Sequence, residues 1–216
     1  AAMPEGNALS MVNLCSGVSH EWHQWSFLKH DPDTSGPMTD HFRAWLAKKY
    51  GADRALAAAW NDPRATIAGA TVPLVPERKT TLDGVFRDPA RERRVMDYYE
   101  AQHDVVADQV IHFSRVVKES WPRPLLTGSF YGYYFMTFSR QTTGGHLAVE
   151  RVLQSPYVDF FAAPQSYYSP AHGLGGSGQS RAVLESMRLH GKLVIDEMDQ
   201  HTSITRPFEM PPPDKA

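Results

Sequence analysis

Two glutamates follow apolar runs near opposite ends of the chain, and both have neighbours able to bind a polyol. Glu21 lies in residues 16–23 (SGVSHEWH), and Glu197 lies in residues 195–201 (IDEMDQH). Glycoside hydrolysis needs two such carboxyl groups across a pocket, one to protonate the leaving oxygen and one to attack the anomeric carbon. Their surroundings must separate their protonation states. Glu21 precedes Trp22 and is the candidate acid, whereas Glu197, at a strand end where tyrosine hydroxyls could keep it ionised, is the candidate nucleophile.

Aromatic and amide side chains follow the two apolar runs that lie between these glutamates. One run ends in residues 130–134 (FYGYY) and the other in residues 164–168 (PQSYY). Aromatic rings cover the apolar face of a pyranose, and amides, carboxylates and histidines bind its hydroxyls. The sequence therefore predicts a sugar site. Its candidate contacts are His20, Trp22, Tyr131, Gln165, Tyr167 and Asp199.

Four apolar runs carry these residues at their carboxyl ends. Each is almost continuously apolar, which is typical of parallel strands buried on both faces. Helical patterns separate them, and such alternation indicates an α/β fold. The longest helical pattern buries positions 99, 106, 110, 113 and 117, and shorter ones occupy about 146–153 and 180–190, with Ser180 as N-cap and Gly191 as the stop. The predicted strands are Leu9–Cys15, Leu125–Phe130, Val158–Ala163 and Leu193–Ile195.

The spacing of the strands favours a (β/α)8 TIM barrel. Leu125 and Val158 are 33 residues apart, and Leu193 follows after another 35, whereas a barrel of typical length uses about 31 residues per unit. A doubly wound sheet fits this spacing nearly as well, but no Gly-x-Gly-x-x-Gly follows a strand. We therefore predict a partial barrel of four strands with their helices, spanning residues 1–216 as one partial catalytic domain.

An insertion at about residues 30–92 follows the first strand. It contains predicted helices at 39–50, with Phe42, Trp45 and Leu46 as the buried stripe, and at 53–60, followed by a loop at 61–91. Insertions after barrel strands commonly shape the active site. A surface excursion or a subunit contact is the alternative interpretation.

Several short motifs, in order, resemble the catalytic barrel of glycoside hydrolase family 42 and related β-galactosidase-like enzymes of clan A. The resemblance covers nearly the whole chain and ends in Glu197. The motifs are Gly17-x-x-x-Glu21-Trp22, Phe42-x-x-Trp45-Leu46-x-x-Lys49-Tyr50-Gly51 with Ala59-Trp60, Gly128-x-Phe130-Tyr131-Gly132-Tyr133, and Ser155-Pro156-x-Val158-Asp159-Phe160 with Pro164.

The resemblance implies a retaining O-glycosyl hydrolase of carbohydrate metabolism that acts on terminal β-linked sugars, most like a β-galactosidase. It implies that the visible strands are four to seven, that Glu21 is the acid/base after strand four, and that Glu197 is the nucleophile at the end of strand seven. It also implies a homotrimer. His20 stands where the clan has an asparagine that binds the sugar 2-hydroxyl.

Barrel strands one to three and eight are expected outside this sequence, so the N-terminus of the protein is expected to be missing. Localisation stays open, with a slight preference for the cytoplasm. An open barrel exposes strand edges. We therefore expect the segment alone to be inactive and poorly stable.

Composition bounds the other partners. The formal net charge of −2 gives no electrostatic reason to expect nucleic acid or an acidic membrane surface, and no apolar stretch has the length of a membrane helix. The single cysteine, Cys15, excludes an intrachain disulfide and a multi-cysteine zinc site. No cofactor is expected.

Two other classes of function remain open. His20-Glu21-Trp22-His23 is one residue shorter than the zincin pattern, but His20, Asp199 and His201 could serve a metal-dependent hydrolase. The same aromatic residues would also serve a non-catalytic carbohydrate-binding pseudo-enzyme, which the histidine at position 20 favours.

Overall fold

Four parallel strands lie side by side in the order in which they occur in the chain. The computed structural model describes residues 4–82, 86–135, 144–165 and 179–198. All four predicted strands are confirmed, with ends that differ by at most two residues. The strands are β1 (Met11–Leu14), β2 (Leu126–Phe130), β3 (Phe160–Pro164) and β4 (Leu193–Glu197).

The described ranges also contain six α-helices and one short 3-10 helix (Pro4–Ala8). The first helix starts earlier than predicted because the Ser35 hydroxyl caps it by accepting from the Met38 N–H at 3.2 Å. It ends before Gly51, as predicted. No helix in these ranges is long and apolar enough to cross a membrane. The helices are α1 (Gly36–Tyr50), α2 (Asp53–Trp60), α3 (Val75–Lys79), α4 (Arg93–Ser120), α5 (Val149–Leu153) and α6 (Leu184–Leu189).

Helices α4, α5 and α6 pack on one face of the sheet. They share a single buried cluster with Phe161 and Ala163 of β3. On the opposite face, Met11 and Leu193 at the two sheet edges are 40% and 52% exposed. The described strands therefore form a mixed α/β fold with a parallel sheet in chain order, an arrangement that a barrel and one half of a doubly wound sheet share.

Close contact between β2 and β3 depends on Gly128. A Cβ atom at this position would lie 2.1 Å from the carbonyl oxygen of Phe160 and 2.5 Å from its ring. The absence of a side chain therefore lets the Phe160 ring lie against the β2 backbone, which fills the centre of the sheet.

Two helix predictions need correction. Helix α6 begins at Leu184 and not after Ser180, because the Ser180 hydroxyl accepts from the Ala182 N–H at 3.2 Å and stabilises the preceding loop. On α4, Phe113 is 48% exposed, whereas Ser114 is fully buried. The buried face of α4 thus passes from Val110 to Ser114, one position away from the predicted stripe.

The insertion packs on the first half of α4 around a buried carboxylate. Asp97 of α4 is fully buried and accepts hydrogen bonds from three residues that the sequence places in α1 and α2. The donors are Lys49 Nζ (2.9 Å), the Tyr50 hydroxyl (2.7 Å) and Trp60 Nε1 (2.7 Å). Arg93 Nε lies 3.3 Å from the same carboxylate. This network joins α1 and α2 to α4.

Replacement of Asp97 by alanine should destabilise the insertion. It would leave two cations and two partly buried donors without their buried acceptor, at a cost of about 3 kcal/mol. Hydrogen exchange of the α1 and α2 amides in the full-length protein measures this loss. Asp108→Ala is the matched control, because the Asp108 carboxylate pairs with Arg151 at a side-chain exposure of 52% and should cost less than about 1 kcal/mol. Equal losses in both variants would contradict a central role for Asp97.

Candidate functional site

The loop after β1 folds back on itself and so positions Glu21. The Trp22 N–H donates to the Ser16 carbonyl at 2.7 Å, and the Val18 N–H donates to the His23 carbonyl at 3.0 Å. Gly17 adopts φ +70°, and a Cβ there would lie 2.2 Å from the His23 carbonyl oxygen. This close approach explains the glycine of the motif Gly17-x-x-x-Glu21.

Three side-chain-bearing residues of this loop adopt left-handed backbone conformations. Ser19, His20 and Trp22 have φ values of 55°, 63° and 61°. Such conformations are costly and cluster at functional sites, where surrounding contacts enforce them. The strain is concentrated on the two residues that flank Glu21.

The carboxyl group of Glu21 meets a tyrosine from the next strand. The Tyr133 hydroxyl, on the loop after β2, donates to Glu21 Oε1 at 3.1 Å. Burial is the largest cause that raises the pKa of Tyr133, followed by the charge and hydrogen bond of Glu21 and by the charge of Glu197, whereas Arg181 opposes the rise. The charges of both predicted catalytic carboxylates therefore contribute to the raised pKa of Tyr133.

Glu197 ends β4 on the face of the sheet opposite α4, α5 and α6. It is in register with Pro164 of β3, and side chains alternate between faces along a strand. Ala163 packs into the helix-side cluster, so its partner Asp196 shares the helix side and Glu197 lies on the opposite side. This is the orientation that a barrel interior requires.

Two stacked histidines lie behind Glu21. Their ring centroids are 4.2 Å apart. His146 Nε2 lies 2.8 Å from the Glu21 carbonyl oxygen, and its Nδ1 accepts from the Tyr133 N–H at 3.1 Å. His23 Nε2 lies 3.8 Å from Glu21 Oε2.

Burial lowers the pKa of His23 to about 4. The contact with the Gly144 carbonyl opposes this change, and the charge of Arg181 adds a smaller lowering. Burial also lowers the pKa of His146. Both rings are neutral at pH 7.

The buried Arg181 brings a positive charge to the same region. Its backbone carbonyl accepts from the Tyr134 N–H at 2.9 Å, and its own N–H donates to the Pro164 carbonyl at 3.3 Å. Its charge lowers the pKa of Tyr133 and of His23, in each case by less than burial changes it. Arg181, Tyr133, His23 and His146 were not predicted as site residues, and their assembly could be found only from tertiary contacts.

Two of the predicted sugar contacts are corrected. Trp22 is 4% exposed, its indole N–H donates to the Leu14 carbonyl at 2.9 Å, and its ring lies 6.2 Å from that of Phe113 on α4. Tyr131 is fully buried in the same cluster, with its hydroxyl 3.3 Å from the Gly145 carbonyl oxygen. Neither ring offers a face to a sugar, because both fill the space between sheet and helices.

Two of the other four predicted sugar contacts, His20 and Gln165, lie within the described residues. His20 is exposed, next to Glu21. Gln165 is partly buried and donates from Nε2 to the Asp196 carboxylate at 2.5 Å. Tyr167 and Asp199 lie outside the described residues. Tyr133 thus bonds Glu21, and the charge of Glu197 contributes to the raised pKa of the same tyrosine.

A cavity of about 530 Å³ adjoins the loop on the side of the insertion. Glu21 is not among its lining residues, so the insertion encloses space beside the candidate site and not at the carboxyl group itself. The lining residues include Trp22, His23, Trp25, Met38, His41 and Val106.

The described residues contain no group of three or more histidine, cysteine, aspartate or glutamate side chains placed to hold a metal ion. Asp199 and His201, which the metal-dependent alternative requires together with His20, lie outside the described residues.

No protein-family model matches the chain, and no curated protein matches it. Among solved structures, the chain is similar to the crystal structure of a β-galactosidase from the psychrophilic Marinomonas ef1, at 23% identity and a TM-score of 0.37. The alignment covers 65% of this chain and 18% of that enzyme. The chain therefore spans less than a fifth of the length of the galactosidase, and a functional assignment has to rest on the geometry of the site.

Acidification from pH 7 to pH 4 should loosen the loop after β1. The pKa of His23 is about 4 in the folded protein and about 6.5 in the unfolded chain. As the pH falls, the unfolded chain therefore binds the proton first. Stability is then present above pH 6.5 and is lost as the pH falls toward 4, by up to about 3 kcal/mol. Hydrogen exchange of the 18–24 amides, corrected for intrinsic rates, measures this. The loss should shrink in His23→Gln, and an undiminished loss in that variant would show that His23 is not its source.

Proposed function

We propose that the chain is part of a retaining β-glycosidase, most like a β-galactosidase of family 42, with Glu21 as acid/base and Glu197 as nucleophile. One observation carries this proposal: the buried Tyr133 hydroxyl bonds Glu21 and is influenced by the charge of Glu197. The two glutamates are 176 residues apart in the chain. The Tyr133 hydroxyl lies at the carboxyl end of a parallel sheet, which is where a barrel carries its catalytic groups, such as a carboxylate pair of this kind.

In this proposal the four strands are strands four to seven of a (β/α)8 barrel. The sequential parallel order and the one-sided helices support it, because a barrel keeps its helices outside and its strands in chain order. The edges of β1 and β4 are then the places where strands three and eight pair, and the exposed side chains of Met11 and Leu193 face the barrel interior.

The reaction follows from the two carboxyl groups. Glu197 attacks the anomeric carbon while the glycosidic C–O bond breaks, and Glu21 gives its proton to the departing oxygen. Water then attacks the glycosyl–Glu197 ester, Glu21 takes the proton of that water, and Glu197 leaves as a carboxylate. This double displacement needs the two carboxyl groups about 5 to 5.5 Å apart. Tyr133 helps to orient Glu21 in both steps.

Substrate contacts in this proposal come from the polar side chains at the strand ends. His20 is exposed beside Glu21 and replaces the clan's asparagine at the sugar 2-hydroxyl, and Gln165, Tyr167 and Asp199 are the other proposed contacts. Because Trp22 and Tyr131 are buried, they anchor the site and do not contact the sugar. The substrate is a terminal β-galactoside or a related β-linked sugar, and a homotrimer is proposed from the family resemblance alone.

Glu197→Gln in the full-length protein should lower kcat for aryl β-galactosides by at least about 10⁴-fold, the order of loss on removing a covalent nucleophile. Because the amide keeps the shape of the carboxylate, the Kd for galactose should change by less than about tenfold. Steady-state kinetics and calorimetry measure the two quantities. Glu185→Gln on α6, where the side chain is 80% exposed, is the matched control. Wild-type rates in Glu197→Gln exclude the nucleophile's role, and sugar binding without turnover by the unmodified protein would indicate the pseudo-enzyme.

Glu21→Ala should separate the two steps of the reaction. A substrate with a good leaving group needs little protonation, so it should still form the glycosyl-enzyme, whereas hydrolysis of that intermediate slows because water has lost its base. Added azide needs no base and should restore turnover, with the β-glycosyl azide as product. Rate measurement and NMR of the product test this. An α-linked azide, or no effect of azide, would contradict a retaining mechanism with Glu21 as acid/base.

A further inference from the structure

His146 connects the two loops that carry Glu21 and Tyr133. Its Nδ1 accepts from the Tyr133 backbone N–H, so this nitrogen carries no proton. Its Nε2 faces the Glu21 carbonyl at 2.8 Å and must therefore donate. Only the neutral Nε2–H tautomer satisfies both contacts. The His146 ring is 2% exposed and thus holds the two backbones at a fixed separation.

His23 has the opposite tautomer. Its Nδ1 lies 3.4 Å from the Gly144 carbonyl oxygen and donates to it, so its Nε2 carries a lone pair. The ring is held between His146 at 4.2 Å and Phe27 at 4.5 Å, with interplanar angles of 13° and 22°. This stacking fixes the direction of the Nε2 lone pair, which faces Glu21 Oε2 at 3.8 Å.

The two oxygens of Glu21 thus have different neighbours. Oε1 accepts from the Tyr133 hydroxyl, whereas Oε2 faces an imidazole lone pair. An unprotonated Oε2 would place two lone pairs against each other, but a protonated Oε2 presents a hydrogen to His23 Nε2. The 3.8 Å separation is longer than a hydrogen bond, so a hydrogen bond here requires the carboxyl group to move toward His23. The surroundings therefore distinguish the oxygen that carries the proton.

Other ionisable groups act on this pair. The positive charge of Arg181 disfavours a proton on His23, and His103 and His23 disfavour one on His146. Tyr133 packs its ring edge against both histidines, with ring centroids 5.5 Å from that of His23 and 4.9 Å from that of His146. The charge of Glu197 also contributes to the raised pKa of Tyr133, after burial and Glu21. Burial, the largest cause, and these smaller charge effects keep both imidazoles neutral, so that Nε2 of His23 remains an acceptor.

We propose that His23 and His146 are positioning residues for Glu21: His146 fixes its backbone, and His23 Nε2 keeps the acidic proton on Oε2 until the leaving group takes it. The proposal rests on the proposed glycosidase function for its consequence in catalysis. Neither histidine touches the reacting atoms.

The kinetic experiment compares His23→Gln with the unmodified full-length protein on two β-galactosides, one with a poor alkyl leaving group and one with a dinitrophenyl group. A glutamine amide can donate to Oε2 and favours the ionised carboxyl group. We expect kcat/KM to fall roughly 10- to 100-fold for the alkyl substrate and less than about threefold for the dinitrophenyl substrate, because only the former needs the acid. The basic limb of the pH profile should move to lower pH.

The matched control is His103→Gln. His103 is also a buried histidine, and its Nδ1 accepts from the Leu147 N–H at 3.1 Å. A structural effect of losing a buried imidazole should lower kcat/KM for both substrates by the same factor. An equal loss for both substrates in His23→Gln, with an unmoved pH profile, would overturn the proposal.

A second measurement does not need activity. In full-length protein labelled with ¹⁵N-histidine and ¹³C-carboxyl glutamate, His23 should show the Nδ1–H tautomer and His146 the Nε2–H tautomer, with signals assigned from single replacements. The Glu21 carboxyl should titrate at lower pH in His23→Gln. Identical tautomers, or an unmoved Glu21 titration, overturn the proposal. The expected spectra in a protein without glycosidase activity would support the positioning pair and reject the catalytic function, so the two failures are distinguishable.

Discussion

The hydrogen bond from Tyr133 to Glu21 is the contact on which the candidate site depends. It joins the loop after β1 to the loop after β2, and its donor is buried, which limits competition from water. The parallel sheet makes it available, because the carboxyl ends of β1, β2 and β4 lie at one edge. A charge on Glu197 reaches the same hydroxyl. Without this bond, the sheet would bring the strand ends together but would not orient a carboxyl group.

The strained loop around Glu21 is stabilised from outside the site. Trp22 supplies the apolar part by filling the space between β1 and α4, and its indole N–H returns the loop to Leu14. His146 supplies the polar part at the Glu21 carbonyl. The burial of Trp22, which removes it from the sugar contacts, is therefore what allows left-handed conformations on both sides of Glu21. An aromatic residue beside the candidate acid/base serves here as an anchor.

The sequence predicted the elements better than the side-chain directions. Apolar runs located the strands, and periodic patterns located α1 and α2, because both depend on local chemistry. Tyr131 and Tyr133 show the limit: the first is buried on the helix side and the second binds Glu21, since Gly132 turns the chain between them at φ +89°. Strand alternation stops at such a turn. His146 contacts Glu21 across 125 residues, which no local pattern encodes.

Helix α4 couples the insertion to the site. Its first half belongs to the core around Phe42 and Leu46, its middle belongs to the core under the sheet, and Val105 packs against both. The 28-residue helix α4 includes Val106, which packs in the same cluster as Trp22. Trp22 is bonded to the strand and adjacent to Glu21. A continuous series of packed side chains therefore joins the insertion to the residue beside Glu21, although Glu21 does not line the cavity beside it.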